Sequence, residues 1–206
     1  MASENLAPQV ISRLMGEVRE LVRKPAEGIE YVESEENSIS EIHAIITGPE
    51  ETPFYGGKFR MKLVISDEYP NVPPKGYFMT RIFHPNVALN GDICVNTLKR
   101  DWNCDVTIKH VLQVIRCLLI IPFPESSLND EAGKMFMESY EEYASRARIM
   151  TQVHAMTSES KGKFLSTHTD DFVTTNGGLA GEEEIASVVQ QKKKEKDIKK
   201  KNLKRL

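Results

Sequence analysis

From Phe59 to Ile65 the apolar residues Phe59, Met61, Leu63 and Ile65 alternate with positions that include Arg60 and Lys62. A period of two sends successive side chains to opposite sides of a strand, so this stretch needs a sheet with one buried and one wet face. Two further runs have strand character, Ile29 to Val32 and Glu41 to Thr47, and the third strand extends over Lys58 to Ser66. Gly48-Pro49 and Gly56-Gly57 supply turns between them. A fourth strand, Gly76 to Thr80, follows Pro70-Asn71-Val72-Pro73-Pro74. Prolines lack the N–H that a central ladder needs, so that stretch is a loop or an edge.

On either side of these strands the period changes to that of a helix. Val10, Ile11, Leu14, Val18, Leu21 and Val22 predict an amphipathic helix over Pro8 to Arg23, ending before Pro25. Thr107 reads as the N-cap of a helix from Ile108 to Ile121, apolar on most of its surface and therefore expected to be buried. Pro122 and Pro124 stop it. Asn129 or Asp130 can cap a last helix, whose stripe through Phe136, Tyr140, Tyr143, Ala144, Ala147 and Met150 runs to about His154. Helix, four strands, then helices make the class α+β with an antiparallel sheet.

The chain holds 206 residues, 40% of them hydrophobic, enough for one domain and an appendage. Residues 1–155 form the expected core, 156–181 a linker rich in Ser, Thr, Gly and Asp, and 182–206 a basic tail. The net charge of −3 hides an asymmetry, because residues 192–206 carry nine Lys and Arg against two acids. The remainder holds 18 bases and 28 acids, a balance of −10, so the body is a poor partner for nucleic acid. Tail binding to nucleic acid is the reading that remains, disfavoured because no aromatic residue lies between Leu179 and Leu206. Charged residues interrupt the first 25 positions, and the longest apolar run, Cys117 to Ile121, is too short to span a membrane. No membrane partner is expected.

Three cysteines, Cys94, Cys104 and Cys117, fit neither a disulfide framework nor a CxxC metal site, so no metal is expected and the thiols are read as reduced. From His84 to Thr107 neither period holds, and a long irregular stretch in a small domain is more often functional than a spacer. It contains His84-Pro85-Asn86, then Asn90-Gly91-Asp92-Ile93-Cys94, and Trp102. A thiolate can accept an acyl group and release it to an amine in two transfers, provided the cysteine is exposed on a loop. A buried core cysteine is the bland alternative. The side chain of Asn86 can donate to an oxyanion or serve as a turn residue.

The tripeptide His84-Pro85-Asn86 ending eight residues before Cys94, Trp102 eight after it, the upstream Pro70-to-Pro74 loop and Pro53-Phe54-Tyr55-Gly56-Gly57 together resemble the ubiquitin-conjugating enzymes. The resemblance covers residues 5 to 155. It implies that Cys94 carries ubiquitin as a thioester received from the activating enzyme and passes it to a lysine. Asn86 would then serve the oxyanion or shape the loop, with His84, Pro85 and Trp102 structural. ATP would be consumed by the activating enzyme, with no cofactor bound here; no phosphate-binding glycine motif is present. Ser126 stands where relatives often have an aspartate, so Asp130, Glu125 or the acceptor itself would assist the incoming lysine, with Ser126, Asp130 and Glu125 as gate residues. Gln113, Arg116 and Cys117 would face the donor ubiquitin. Asn71 and Asn103-Cys104-Asp105 depart from the usual ligase-docking pattern, which puts recruitment elsewhere.

That place is the end of the chain. Leu203, Lys204, Arg205 and Leu206, together with Val-Asn-Thr-Leu-Lys-Arg-Asp-Trp and Leu-Asn-Asp-Glu-Ala-Gly, resemble the S-type members of the family. The resemblance implies chain elongation through lysine eleven of an acceptor ubiquitin, with the anaphase-promoting complex as the ligase, for proteasomal degradation. A generic family member with another linkage or ligase, or a noncatalytic ubiquitin-binding variant, are the alternatives. The expected location is the cytoplasm and nucleus.

Overall fold

The computed structural model describes residues 6–33, 38–94, 98–99 and 102–156. The elements in chain order are α1 (Pro8–Arg23), β1 (Ile29–Val32), β2 (Glu41–Thr47), β3 (Lys58–Val64), β4 (Lys75–Phe78), α2 (Ile108–Leu118), α3 (Asp130–Glu138) and α4 (Tyr140–His154). The expected linker, 156–181, lies outside the described residues beyond Met156, as does the whole tail, 182–206.

The four strands form one antiparallel sheet in the order β1-β2-β3-β4. Register pairs Ile42 with Leu63, Ala44 with Met61 and Ile46 with Phe59, so all six face the same side, and each is at most 3% exposed. Burying such a large aliphatic or aromatic side chain contributes about 1.5–3 kcal/mol. The opposite face carries Arg60 and Lys62, with Lys62 bonded to Glu41 across the strands at 2.9 Å. That bond holds the Glu41 carboxyl below its usual range.

Helix α1 buries Leu14 and Leu21, two turns apart on one face. Helix α2 buries Ile108, Val111, Leu112, Ile115 and Leu118 but exposes His110, Gln113 and Cys117. It is therefore amphipathic and half-sunk, less buried than its mostly apolar surface suggested; the polar residues at 110, 113 and 116 and the thiol at 117 occupy the outer side. Ile115 reaches Gly76 of β4, where an added Cβ would lie 3.5 Å from its Cδ1. Glu17 ties α1 to α2. Its carboxylate accepts from the Ile108 amide at 2.7 Å, satisfying an orphan donor at the helix start. It also accepts from Arg13 Nε at 2.6 Å and from the Tyr69 hydroxyl at 3.3 Å.

One stripe from Phe136 to His154 proves to be two helices. Ser139 adopts extended angles, and its amide closes α3 on the Met135 carbonyl before α4 begins. The bend brings Phe136 and Tyr143 edge to face, with centroids 5.2 Å apart. Glu131 of α3 pairs with Arg146 of α4. The far end of α4 docks on the sheet, because the Lys58 amide donates to the Ala155 carbonyl at 2.8 Å. No helix among the described residues is long and apolar enough to cross a membrane.

Candidate active site

After β4 the chain turns back at Ala88 to Gly91 and runs as a small hairpin against the sheet edge. Val87 bridges Ile93, and Asp92 bridges Tyr77 of β4. Asn90 shapes the turn by accepting the Asp92 amide on its side-chain oxygen at 3.2 Å. Gly91 completes it with φ of 95°, its carbonyl accepting the Phe78 amide at 2.8 Å. Cys94 lies at the end of the return arm, and its amide donates to the Asn86 carbonyl at 3.1 Å.

The expectation of an openly exposed cysteine needs correction. Cys94 is 5% exposed, whereas Cys104 and Cys117 are open to solvent. Main-chain pairing on both sides of the hairpin draws residue 94 against the body of the domain.

The tripeptide before the hairpin is fully engaged. His84 is completely buried; its Nδ1 accepts the Asn86 amide at 3.0 Å and its Nε2 lies 2.8 Å from the Leu118 carbonyl. Since Nδ1 is the acceptor, the proton sits on Nε2 and is donated to Leu118. That carbonyl would ordinarily receive the amide of residue 122, which is proline and has none. His84 thus supplies the donor that Pro122 withholds at the end of α2. Burial pushes the imidazole down to about 4 against the weaker opposing pull of that carbonyl, so it stays neutral near pH 7 and is no general base.

The Pro85 carbonyl accepts the amides of Leu128 at 2.8 Å and Asn129 at 3.1 Å. Asn86, also fully buried, gives one side-chain N–H contact to the Phe123 carbonyl at 2.6 Å and one to the Ser126 carbonyl at 3.0 Å. Its oxygen accepts the Phe123 amide at 2.8 Å. Both amide protons are therefore engaged in this arrangement, and these contacts are those of the loop-shaping reading of Asn86.

These bonds hang the segment 123–129 on residues 85 and 86. Ser126 is half-buried in a single 3-10 turn, Pro124–Ser126, and contributes its main-chain carbonyl to Asn86. Glu125 is exposed in the same turn. Asp130 is exposed at the first position of α3, while Asn129 is the cap, accepting the Ala132 amide at 3.1 Å.

Trp102 is set apart from this cluster. Its indole N–H donates to the Pro70 carbonyl at 3.0 Å and its ring lies 5.9 Å from that of Tyr69, fastening the proline loop. On α2, Gln113 and Cys117 are exposed. Arg116 instead lies beneath Gly28, where a Cβ would meet its Nε at 2.5 Å, and reaches Glu27 at 3.3 Å. Its side chain remains 21% exposed, on the same side of α2 as Gln113 and Cys117. Residues Leu203, Lys204, Arg205 and Leu206 lie outside the described residues.

Sequence reasoning missed the Glu17 clamp, the Pro85 carbonyl and Ser127, whose hydroxyl lies 2.8 Å from the Asn129 carbonyl. Main-chain acceptors leave no mark in a sequence, and Glu17 stands 91 positions from its partner Ile108. Among the described residues no group of three or more His, Cys, Asp or Glu side chains could hold a metal ion.

A family model for ubiquitin-conjugating enzymes matches residues 13–151. The chain is 55% identical over 160 residues to ubiquitin-conjugating enzyme E2 S of Aquarana catesbeiana, covering 78% of this chain and 75% of that one. It is 48% identical over 205 residues to the protein of the same name from Drosophila willistoni, covering 98% and 96%. Among solved structures, a putative ubiquitin conjugating enzyme from Plasmodium yoelii superposes with a TM-score of 0.67 at 31% identity, over 74% of this chain and 99% of that one. The chain belongs to the ubiquitin-conjugating enzyme family, and is a ubiquitin transferase that works through a cysteine thioester between an activating enzyme and a ligase.

Proposed function

We propose that Cys94 is the thioester cysteine, and that the enzyme elongates lysine-eleven-linked ubiquitin chains with the anaphase-promoting complex, recruited through Leu203 to Leu206. The observation that carries the first part is the bond between the Cys94 amide and the Asn86 carbonyl, which ties the main chain of this cysteine to the residue that holds Phe123 and Ser126. Cys104 and Cys117 have no comparable tie to the His84-Pro85-Asn86 tripeptide among the contacts described.

In the first transfer the Cys94 thiolate attacks the ubiquitin thioester of the activating enzyme. A new C–S bond forms, the old one breaks, and the activating enzyme's thiolate leaves. In the second, a lysine amine attacks the Cys94 thioester, a C–N bond forms, the Cys94 thiolate departs, and the amine proton passes to a base. Glu125 and Asp130 are the exposed carboxylates flanking the Ser126 turn that can take that role, directly or through water. ATP is spent upstream by the activating enzyme, no cofactor is bound, and the enzyme acts in the cytoplasm and nucleus. The likeness to proteins named E2 S and the tail residues support the linkage and ligase assignments.

Incubation with activating enzyme, ubiquitin and ATP should give a reductant-sensitive adduct that Cys94→Ala abolishes; an adduct surviving in that variant refutes the assignment. Mass spectrometry of the chains formed with wild-type ubiquitin reads the linkage. Deleting residues 203–206 should reduce ligase-dependent transfer and leave charging intact; loss of charging would make the tail a folding element.

A further inference from the structure

Gly133 sits inside α3 with no left-handed φ, so its backbone conformation does not call for glycine, and alanine is the better helix former there. What it provides is room. A Cβ at this position would lie 2.5 Å from the Ser127 hydroxyl and 3.0 Å from the Ser127 Cβ. Ser127 is thus seated directly on the face of α3.

The Ser127 hydroxyl has one proton and two carbonyls near it, Asn129 at 2.8 Å and Pro85 at 3.1 Å. The two lone pairs of the Pro85 carbonyl already take the Leu128 and Asn129 amides. The Asn129 carbonyl has one other donor, the Gly133 amide at 2.9 Å, and so has a lone pair free for the hydroxyl. A serine bonded to the carbonyl two residues on closes a tight turn. That turn aims the amides of 128 and 129 together at Pro85, next to the residue whose carbonyl holds the Cys94 amide.

From this chain of contacts we infer that Ser127 and Gly133 form a positioning pair that sets α3, with Asp130 on it, relative to the Cys94 thioester during transfer to the amine. The inference rests on the reading of Cys94 as the acyl carrier. Neither residue touches the reacting atoms. Their effect falls on the step in which the amine must approach the thioester carbonyl, form the C–N bond and release the Cys94 thiolate, because that step depends on the geometry of the segment 123–130.

The test is single-turnover discharge of the full-length protein. Parent, Ser127→Ala, Gly133→Ala and the double variant are charged with activating enzyme, ubiquitin and ATP, ATP is then removed, and discharge is followed against acceptor ubiquitin concentration. The maximal discharge rate should fall about five- to tenfold in Ser127→Ala and up to about a hundredfold in Gly133→Ala, with half-saturation and charging little changed. The double variant should discharge between the two singles, since removing the hydroxyl relieves the 2.5 Å clash but leaves the 3.0 Å approach to the Cβ of residue 127; a defect multiplying the two singles would refute a shared mechanism. Parent-like rates in both single variants, a change confined to half-saturation, or equal loss of charging, discharge and thermal stability would each overturn the positioning role. Absence of a Cys94 adduct in the parent would sink the underlying functional reading instead, and is seen before any discharge is measured.

Discussion

The amide of Cys94 and the carbonyl of Asn86 are hydrogen-bonded at 3.1 Å, while the side chain of the same asparagine holds Phe123 and Ser126. One buried residue therefore references both the main chain of Cys94 and the turn from Phe123 to Ser126. A shift of Asn86 moves both together, which preserves their spacing. Its loss releases both.

Replacing Asn86 with alanine should lower the unfolding free energy by about 2–4 kcal/mol, because three hydrogen bonds go and the groups they served are left behind. Denaturant unfolding measures that cost. Discharge of Cys94 should slow more than charging if Glu125 and Asp130, on the segment that Asn86 holds, assist the incoming amine. An Asn86→Ala protein with parent stability and parent discharge would show that the bonds to Phe123 and Ser126 matter to neither.

Acid should weaken the fold through His84. The free imidazole takes up its proton near 6.5 and the buried one only at about 4. Between those values the unfolded chain binds more protons, so stability is complete above about 6.5 and falls as the pH drops toward 4, by about 3 kcal/mol in all. The check is the difference in urea midpoint between parent and His84→Gln across pH 7 to 4.5. The parent should lose more stability than the variant; parallel curves would mean that His84 is not held neutral.

Glu17 has only 11% of its side chain exposed, and its carboxylate serves Arg13, Tyr69 and Ile108 at once. Glu17→Ala should cost about 2–4 kcal/mol in chemical denaturation, and Glu17→Gln less than half of that, because an oxygen remains to cap Ile108. The Tyr69 hydroxyl, raised to about 12 by burial and then by the Glu17 charge, should titrate closer to its usual value in Glu17→Gln. Ultraviolet titration reads that shift independently of stability.

Gly91→Ala tests the hairpin that carries the thiol. A Cβ there would lie 2.1 Å from the Phe78 carbonyl in a backbone with φ of 95°, so strain and clash together should destabilise by about 2–4 kcal/mol. Gly16→Ala is the control: nothing lies within 4 Å of its added Cβ, and on α1 it should stabilise by about 0.5–1 kcal/mol. Similar thermal shifts in the two variants would contradict the close approach at residue 91.

Local patterns made α1, β1 and β2 legible to the residue, because periodicity and nearby turn residues mark their ends. The third strand stops at Val64 rather than Ser66, the fourth runs from Lys75 to Phe78 rather than from Gly76 to Thr80, and α2 ends at Leu118 rather than Ile121. Bonds between distant residues lie at those ends: the Arg60 carbonyl accepts the Met79 and Thr80 amides beyond β4, and His84 donates to the carbonyl of Leu118, the last residue of α2. The break at Ser139 had no proline or glycine to announce it. Cys94, Asn86 and His84 stood out by their spacing and chemistry, but what Asn86 does with its two protons depends on carbonyls 37 and 40 residues away. A serine on a glycine face is invisible until α3 folds.

The ties that fix the site span 34 residues for His84 to Leu118, 37 for Asn86 to Phe123, and 91 for Glu17 to Ile108. Each closes a long loop and so costs chain entropy before it returns any stability, which makes the site depend on the assembled domain and not on any local segment. A growing chain carries its thiol well before it carries Phe123 and Ser126. Until those residues arrive the protein has its nucleophile but no frame around it, and transfer activity becomes a readout of completed folding rather than of the sheet alone.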